Sequence, residues 1–355
     1  MPSDTETSIS VVVVGTGAFG RNHARVYHEL SSSEPIRLTA IVDANEARAR
    51  EGAVQFGATP FNTVEDLLDA KQRGAIDVDA ASVAVPTIHH LSAATALLQA
   101  GVDVLVEKPV TATVEQAVTL EEVASRTGRI AMVGQLERFN PAVLAVRKLL
   151  TRPMFFECHR LSIFTPRSLD VDVVLDLMIH DLDVVLSMVD SPVREVRAVG
   201  LPVLTRKVDI ANVRLEFENG CVANFTASRV STERVRKVRL FQPHEYLSID
   251  YGRQDLIRIE VDPHVLEVLA NAGISGTQIP VLPSSGEGSS AGVKISKPPV
   301  EPGEPLRAEL REFLRAVRTR TQPAVTLADG RRALALALDI HRSIEEHGRR
   351  AGLSG

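Results

Sequence analysis

Val11–Gly20 reads VVVVGTGAFG, four β-branched residues followed at once by Gly15, Gly17 and Gly20 in G-x-G-x-x-G spacing. The pattern predicts a strand, a tight turn and the start of a helix. Each glycine has its own task in such a turn: Gly15 permits the bend, Gly17 lets a pyrophosphate approach the backbone, and Gly20 lets the helix pack close to the strand. A helix starting at Phe19, just after Ala18, would turn its unpaired N–H groups and positive dipole end toward the phosphates. A helical stretch, Arg21–Leu30, follows, and the next apolar run, Leu38–Val42, ends in Asp43. An acid about 20 residues beyond the glycines stands where a ribose 2′-hydroxyl is gripped and a 2′-phosphate repelled. The expected cofactor is therefore NAD. Arg48, five residues on, softens the rejection and leaves NADP open.

The rest of the first half repeats this alternation. Helical patterns at Glu46–Phe56, Val64–Ala70, His89–Ala100 and Val114–Ser125 are interleaved with strand-like runs at Ala80–Val85, Val102–Val106 and Ile130–Val133, with a short turn at Pro60. Such alternation predicts a doubly wound parallel sheet covered by helices on both faces, the Rossmann arrangement. Ligands of these sheets bind beyond the carboxyl ends of the strands. Three stretches follow strands in that way: Pro86–His90, Glu107–Pro109 and Gln135–Pro141. From them Pro86, Thr87, His90, Glu107, Lys108 and Gln135 join the glycine loop as expected cofactor contacts.

After Pro141 the pattern changes. A helix over Ala142–Leu150 leads into strand-like runs at Phe155–Phe164, Val193–Leu204, Ile210–Glu218, Val222–Arg229, Arg236–Phe241, Tyr246–Asp250 and Leu256–Val261, interrupted by one helical stretch, Val171–Met188. With Asn219-Gly220 as a hairpin turn, these predict an α+β domain built on a large, mostly antiparallel open sheet. One face of such a sheet needs a partner, and a homodimer or homotetramer through it is expected. The Ser/Gly/Pro-rich segment 280–305 reads as a loop with one short strand near Val293–Ser296. Two amphipathic helices, about Leu306–Arg318 and Gly330–Glu346, close the chain. The expected domains are 1–141, binding NAD, and 142–355, binding substrate and mediating oligomerisation, with the C-terminal helix packing back on the first.

Composition bounds the function. At 355 residues two domains are the default, and 44% hydrophobic with 24% charged residues is ordinary globular usage. Forty Lys and Arg against 45 Asp and Glu give a net charge of −5 without a long basic run, so no nucleic-acid partner is expected. Cys158 and Cys221 lack metal-ligand spacing and read as buried, inert thiols. The start, MPSDTETSIS, has no apolar signal core, and no run of about 18 apolar residues occurs. A cytoplasmic protein with no membrane partner is expected.

Two constellations carry chemistry. Glu107-Lys108-Pro109 ends a predicted Rossmann strand, where a lysine points into the crevice and the proline stiffens the turn. Asp176 and His180, four apart in the otherwise apolar helix VVLDLMIHDLDVVLSM, share a helix face. Burying such a pair is costly unless it is paired or used. Asp181 and Asp183 lie elsewhere on the helix and read as caps or surface. The acids lack the second histidine usual in a transition-metal site, so no metal is expected.

Together the GTGAFG loop, Asp43, VPTIHH (Val85–His90), EKP (Glu107–Pro109), QLERFNP (Gln135–Pro141) and the D-x-x-x-H of Asp176 and His180 resemble the Gfo/Idh/MocA oxidoreductases. The resemblance covers nearly the whole chain and is poorest from about Asp262 to Gly292, which looks like an insertion. It implies a nicotinamide enzyme acting on a sugar or cyclitol hydroxyl, with Lys108, Asp176 and His180 as the catalytic centre. His180 would remove the hydroxyl proton, Asp176 would assist it, and Lys108 would stabilise the alkoxide, although the residues leave open which of Lys108 and His180 takes the proton. Glu137–Ala142 and Met178–Met188 look most like members that act on UDP-sugars, implying oxidation of a UDP-N-acetylhexosamine at its 3-hydroxyl. Arg138 and Asn140 then face the crevice as substrate contacts, with Arg160, Arg167 and Arg229 as further anion contacts. A free cyclitol or sugar is the alternative substrate. A dinucleotide-sensing regulator without turnover is the alternative outside enzymes, and the presence of both Lys108 and His180 argues against it.

Overall fold

The computed structural model describes residues 8–165, 171–261, 288–290 and 293–352. Its chain forms two compact units. The first gathers the residues up to Leu136 together with Glu304–Ala335, and the second gathers Glu137–Gly303 together with the residues from Leu336 onward.

In the first unit, β1 (Ile9–Val14) is buried along its whole length, as a central parallel strand covered on both faces must be. β2 (Ile36–Val42), β3 (Thr59–Phe61), β4 (Ala80–Val83), β5 (Asp103–Glu107) and β6 (Ala131–Gly134) join it in the order β3-β2-β1-β4-β5-β6, all parallel. This is the Rossmann strand order, with its switch point between β1 and β4. β3 is the one strand that the sequence reading took for a turn at Pro60. It has three residues, and an edge strand tolerates a proline. The helices are α1 (Ala18–Leu30), α2 (Glu46–Phe56), α3 (Val64–Gln72), α4 (His90–Gln99) and α5 (Val114–Thr127). Side chains of Asn45, Thr63 and Thr113 cap α2, α3 and α5. α8 (Pro305–Thr319) belongs to this unit, where Arg311 of α8 pairs with Glu34 at 2.7 Å. The segment after it extends the sheet edge, Val325 accepting from the Val133 amide.

The second unit contains α6 (Pro141–Arg147), β7 (Phe155–Ile163), a π-helical turn (Val174–Met178) continuing into α7 (Ile179–Leu186), then β8 (Val193–Leu201), β9 (Ile210–Phe217), β10 (Val222–Ser231), β11 (Val235–Gln242), β12 (Glu245–Asp250), β13 (Asp255–Val261), β14 (Gly288–Ser290) and β15 (Val293–Ser296). Nine strands form one sheet in the order β14-β15-β13-β12-β11-β7-β10-β9-β8. β7 and β10 are parallel and every other pair is antiparallel. The fold is thus the mixed α/β class that the patterns predict. Gly220, at φ +83°, makes the hairpin between β9 and β10, where the Asn219-Gly220 signal placed it. The loop expected around 280–305 holds a strand pair, β14 and β15, rather than one strand. α9 (Leu327–Arg350) begins in the first unit and ends in the second. Cys158 and Cys221 are free and buried, as expected. Burial pushes the Cys221 thiol up to about 11.

Asp209 anchors the turn between β8 and β9. One carboxylate oxygen accepts the amides of Val203, Leu204 and Thr205 at 2.7–2.8 Å, and the other accepts the Thr205 hydroxyl at 2.7 Å. Burial opposes its ionisation, yet these donors win and pull its pKa down to about 2. Because the folded value lies below the unfolded one of about 3.9, the stabilisation is complete above that pH and is lost as pH falls toward 2. Asp209→Asn is expected to cost about 1–3 kcal/mol near neutrality. In urea titrations the gap from wild type should close between pH 4 and 2.

Candidate active site

Candidate site residues occur in both units. In the first, the carboxyl ends of β1, β2 and β4 open into a cleft of about 680 Å³ lined by Gly15, Gly17, Ala18, Phe19, Asp43 and Pro86, among others. The three glycines have separable reasons. Gly15 has φ +88°, and a side chain there would strike the Ala84 carbonyl oxygen at 2.7 Å. A Cβ on Gly20 would lie 1.8 Å from the Gly15 carbonyl oxygen, so the strand and α1 could not close. A Cβ on Gly17 would meet nothing within 4 Å. Gly17 begins α1 without a side-chain cap, so the small residue there leaves space over open helix N–H groups, as a phosphate requires.

Asp43 ends β2 on the cleft wall. Its Oδ2 accepts the Thr16 amide at 2.8 Å and the Thr16 hydroxyl at 2.9 Å, and its Oδ1 accepts the Asn45 amide at 2.8 Å and meets Arg48 at 3.1 Å. Burial opposes ionisation, but these donors hold the carboxyl below its usual range. Thr16 is a participant the sequence reading passed over, although a hydroxyl between two glycines of the loop has few other uses. The Asn62–Glu65 segment also lines the cleft, and recognising β3 as a strand would have placed it there.

Glu107, Lys108 and Pro109 follow β5. Glu107 is buried, accepts the Lys108 amide at 3.3 Å, and meets His23 of α1 at 3.0 Å. It fits because its neighbour in register on β6 is Gly134, whose Cβ would come within 2.5 Å of the carboxylate. Among the described residues, His23, Glu107 and Glu309 of α8 are the one cluster compact enough to hold a metal ion, their ligand atoms lying within 4.8 Å of one another. The sequence reading had no reason to join residues 286 positions apart. Lys108 is half-buried at the turn itself. His90, expected at the cofactor, is instead buried, its two ring nitrogens against the Val85 and Pro109 carbonyls at 2.9 and 3.0 Å. It braces the turn, and its exposed neighbour His89 lines the cleft. Thr87 is half-buried beside Pro86 and is absent from the cleft wall, as is the buried Gln135, whose Oε1 finds no partner among the described residues.

In the second unit, Asp176 lies in the π-helical turn and His180 in the first turn of α7, both half-buried. π-turns concentrate at functional sites because they re-aim side chains within a helix. Asp172 fastens the start of this turn, its Oδ1 accepting the amides of Val174 and Leu175 and pairing with His341 at 2.8 Å.

The arginines expected to hold substrate are committed to the protein. Arg160 is bidentate to Asp181 at 2.8 and 2.9 Å, reaches Glu137 at 3.0 Å, and lies over the Tyr251 ring. Arg138 is bidentate to Asp183 at 2.6 and 3.0 Å. Asn140 caps α6 and donates to Glu137 and the Tyr251 carbonyl. Arg229 donates to the Val171 carbonyl at 2.6 Å and stands 3.9 Å from both Asp176 and Asp209. Arg138, Asn140, Arg160 and Arg229 are therefore buried supports of the site. Asp181 and Asp183, expected as caps or surface, are 3% and 1% exposed and are the carboxylates that hold Arg160 and Arg138. Arg167 lies outside the described residues, as does most of the 262–292 segment.

Known proteins agree with this architecture. Residues 9–135 match the family described as "Oxidoreductase family, NAD-binding Rossmann fold", and residues 145–242 match the GFO/IDH/MocA C-terminal domain. The chain belongs to the Gfo/Idh/MocA oxidoreductases. It is an NAD-binding enzyme of that family acting on CH–OH groups. The chain is 34% identical over 334 residues to UDP-N-acetylglucosamine 3-dehydrogenase of Acidithiobacillus ferrooxidans, covering 94% of this chain and 96% of the relative. The solved structure of GnnA, UDP-N-acetylglucosamine 3-dehydrogenase from the same organism, superposes with a TM-score of 0.81 at 31% identity, over 96% of this chain and 98% of that one. Inositol 2-dehydrogenase of Rhizobium meliloti is 26% identical, with 94% and 96% covered. No helix among the described residues is long and apolar enough to cross a membrane.

Two outcomes follow from this geometry. Gly17→Ala should leave thermal stability near wild type while raising the Kd for NAD, whereas Gly20→Ala should lower Tm, at a cost of about 1–3 kcal/mol or more for an overpacked site. Scanning calorimetry and NADH fluorescence titration separate the two. Asp181→Asn breaks the bidentate half of a buried ion-pair network and leaves Arg160 with Glu137 as its remaining carboxylate among the described residues, and a loss of about 3 kcal/mol is expected in urea unfolding.

Proposed function

We propose that this enzyme oxidises the 3-hydroxyl of a UDP-N-acetylhexosamine to a ketone, using NAD. The observation that carries the reading is the 34% identity to a UDP-N-acetylglucosamine 3-dehydrogenase, spread over nearly the whole of both chains. NAD, when bound, supplies the hydride acceptor. His180 takes the hydroxyl proton as general base. Asp176 orients the imidazole, and Lys108 places a cation where the alkoxide charge grows. Asp43 favours NAD over NADP, since its carboxylate faces the cleft and Arg48 is already paired with it. The two units act as the cofactor-binding and substrate-binding domains.

The inositol dehydrogenases among the relatives keep a free cyclitol as the second reading of the substrate. We place the enzyme in the cytoplasm as a homodimer or homotetramer joined through the sheet face away from α7. That face is polar, with Asn212 bonded to Thr226, and Arg239 to Glu157, across its strands.

A panel of UDP-N-acetylglucosamine, UDP-N-acetylglucosaminuronate, free N-acetylglucosamine, glucose and myo-inositol tests the substrate. NADH formation with a UDP-sugar is expected, and turnover of inositol or a free sugar alone would refute the nucleotide-sugar reading. Lys108→Ala and His180→Asn should each lower kcat by about 10²-fold or more with NAD affinity little changed. Near-normal turnover in either would make that residue structural.

A further inference from the structure

With Arg138, Arg160 and Arg229 committed to protein partners, a different arginine is left for the charged part of the substrate. Arg236 of β11 stands directly opposite Arg160 of β7 in an antiparallel pair. Residues so paired project from the same sheet face, and Arg160 identifies that face as the one under α7 by pairing with Asp181. The two guanidiniums differ in one respect. Arg160 is saturated by carboxylates, whereas the Arg236 guanidinium has no hydrogen bond and no ion pair among the described residues.

Its surroundings are cationic. Arg236 is exposed, yet protein crowds it and Arg160 and Arg234 add like charge. Crowding first, and then these cations, hold its pKa below the ordinary arginine range, against the pull of Glu137 and Asp181. Those two acids are already bound by Arg160. A planar fork of five donors beside two other cations, lacking an acid of its own, is relieved by a multiply charged anion with oxygens to share.

The position suits the substrate. In the order β11-β7-β10, Arg236 is two strands from Arg229, which lies 3.9 Å from Asp176. Two strands at roughly 4.8 Å each, with Arg229 two residues beyond Ala227, which is level with Arg160, put the offset at about 12 Å, which a long arginine side chain and the span from a sugar ring carbon to an anomeric diphosphate together cover. We propose that Arg236, assisted by Arg234, recognises the diphosphate of a nucleotide sugar whose ring is held near Asp176 and His180. This rests on the nucleotide-sugar reading above.

The test uses the full-length enzyme, with UDP as the binding probe and UDP-N-acetylglucosamine as the substrate. Arg236→Gln should raise both the Kd for UDP and the KM for the sugar nucleotide by about tenfold or more, with kcat and the KM for NAD near wild type. Arg236→Lys should recover part of the loss, and Arg234→Gln should show a smaller one. If wild type oxidises UDP-N-acetylglucosamine but Arg236→Gln keeps its KM and UDP affinity, the assignment of Arg236 falls and the substrate reading stands. If wild type neither binds UDP nor oxidises the sugar nucleotide, both fall.

Discussion

Two buried arginine–aspartate pairs set the geometry of the second unit. Asp181 and Asp183 are two apart on α7, and Arg160 and Arg138 hold them by paired hydrogen bonds. Each ion gives up hydration on entering the interior, and only good geometry with further donors and acceptors offsets that. Glu137 and the Tyr251 ring supply the extra partners of Arg160, and Asn140 donates to Glu137 and to the Tyr251 carbonyl. Bidentate pairs fix orientation as well as distance. A helix fastened in this way has little freedom to rotate, and His180, one residue before Asp181, is held with it.

The cofactor-binding unit reaches the same end by sterics and backbone bonding. Gly20 closes α1 onto β1, Gly134 makes room for Glu107, and His90 ties the turn that carries Lys108 to the segment after β4 by facing the Pro109 and Val85 carbonyls. Asp43 is immobilised through Thr16, so the glycine loop and this carboxylate form one piece. A hydride-transfer enzyme benefits from such stiffness, because small misplacements at the reacting atoms are expensive in rate.

Much of this was legible in the chain. Local signals carried the Rossmann unit: the G-x-G-x-x-G loop, the alternation of β-branched runs with amphipathic helices, and the Asn219-Gly220 turn all act over a few residues. β3 escaped because three residues containing a proline leave no periodic trace. The partners of the arginines were illegible for a different reason. Arg138 after a strand looks the same in sequence whether it serves a phosphate or Asp183, because its partner lies 45 residues away. Asp181 and Asp183 looked like surface for the same reason, as charged residues in an apolar helix give no sign of the cations that meet them. The cluster of His23, Glu107 and Glu309 joins three separate elements. Long-range pairing of charges is set by topology, and only the folded chain displays it.

The central claim is that a sugar carbon gives its hydride directly to the nicotinamide. Its most direct measurement uses UDP-N-acetylglucosamine carrying deuterium at C3, NAD and the wild-type enzyme, with the reduced cofactor examined by proton NMR. Deuterium at nicotinamide C4 and a ketone at C3 of the sugar are expected. Reduced cofactor without deuterium, or label retained on the sugar during turnover, would contradict it.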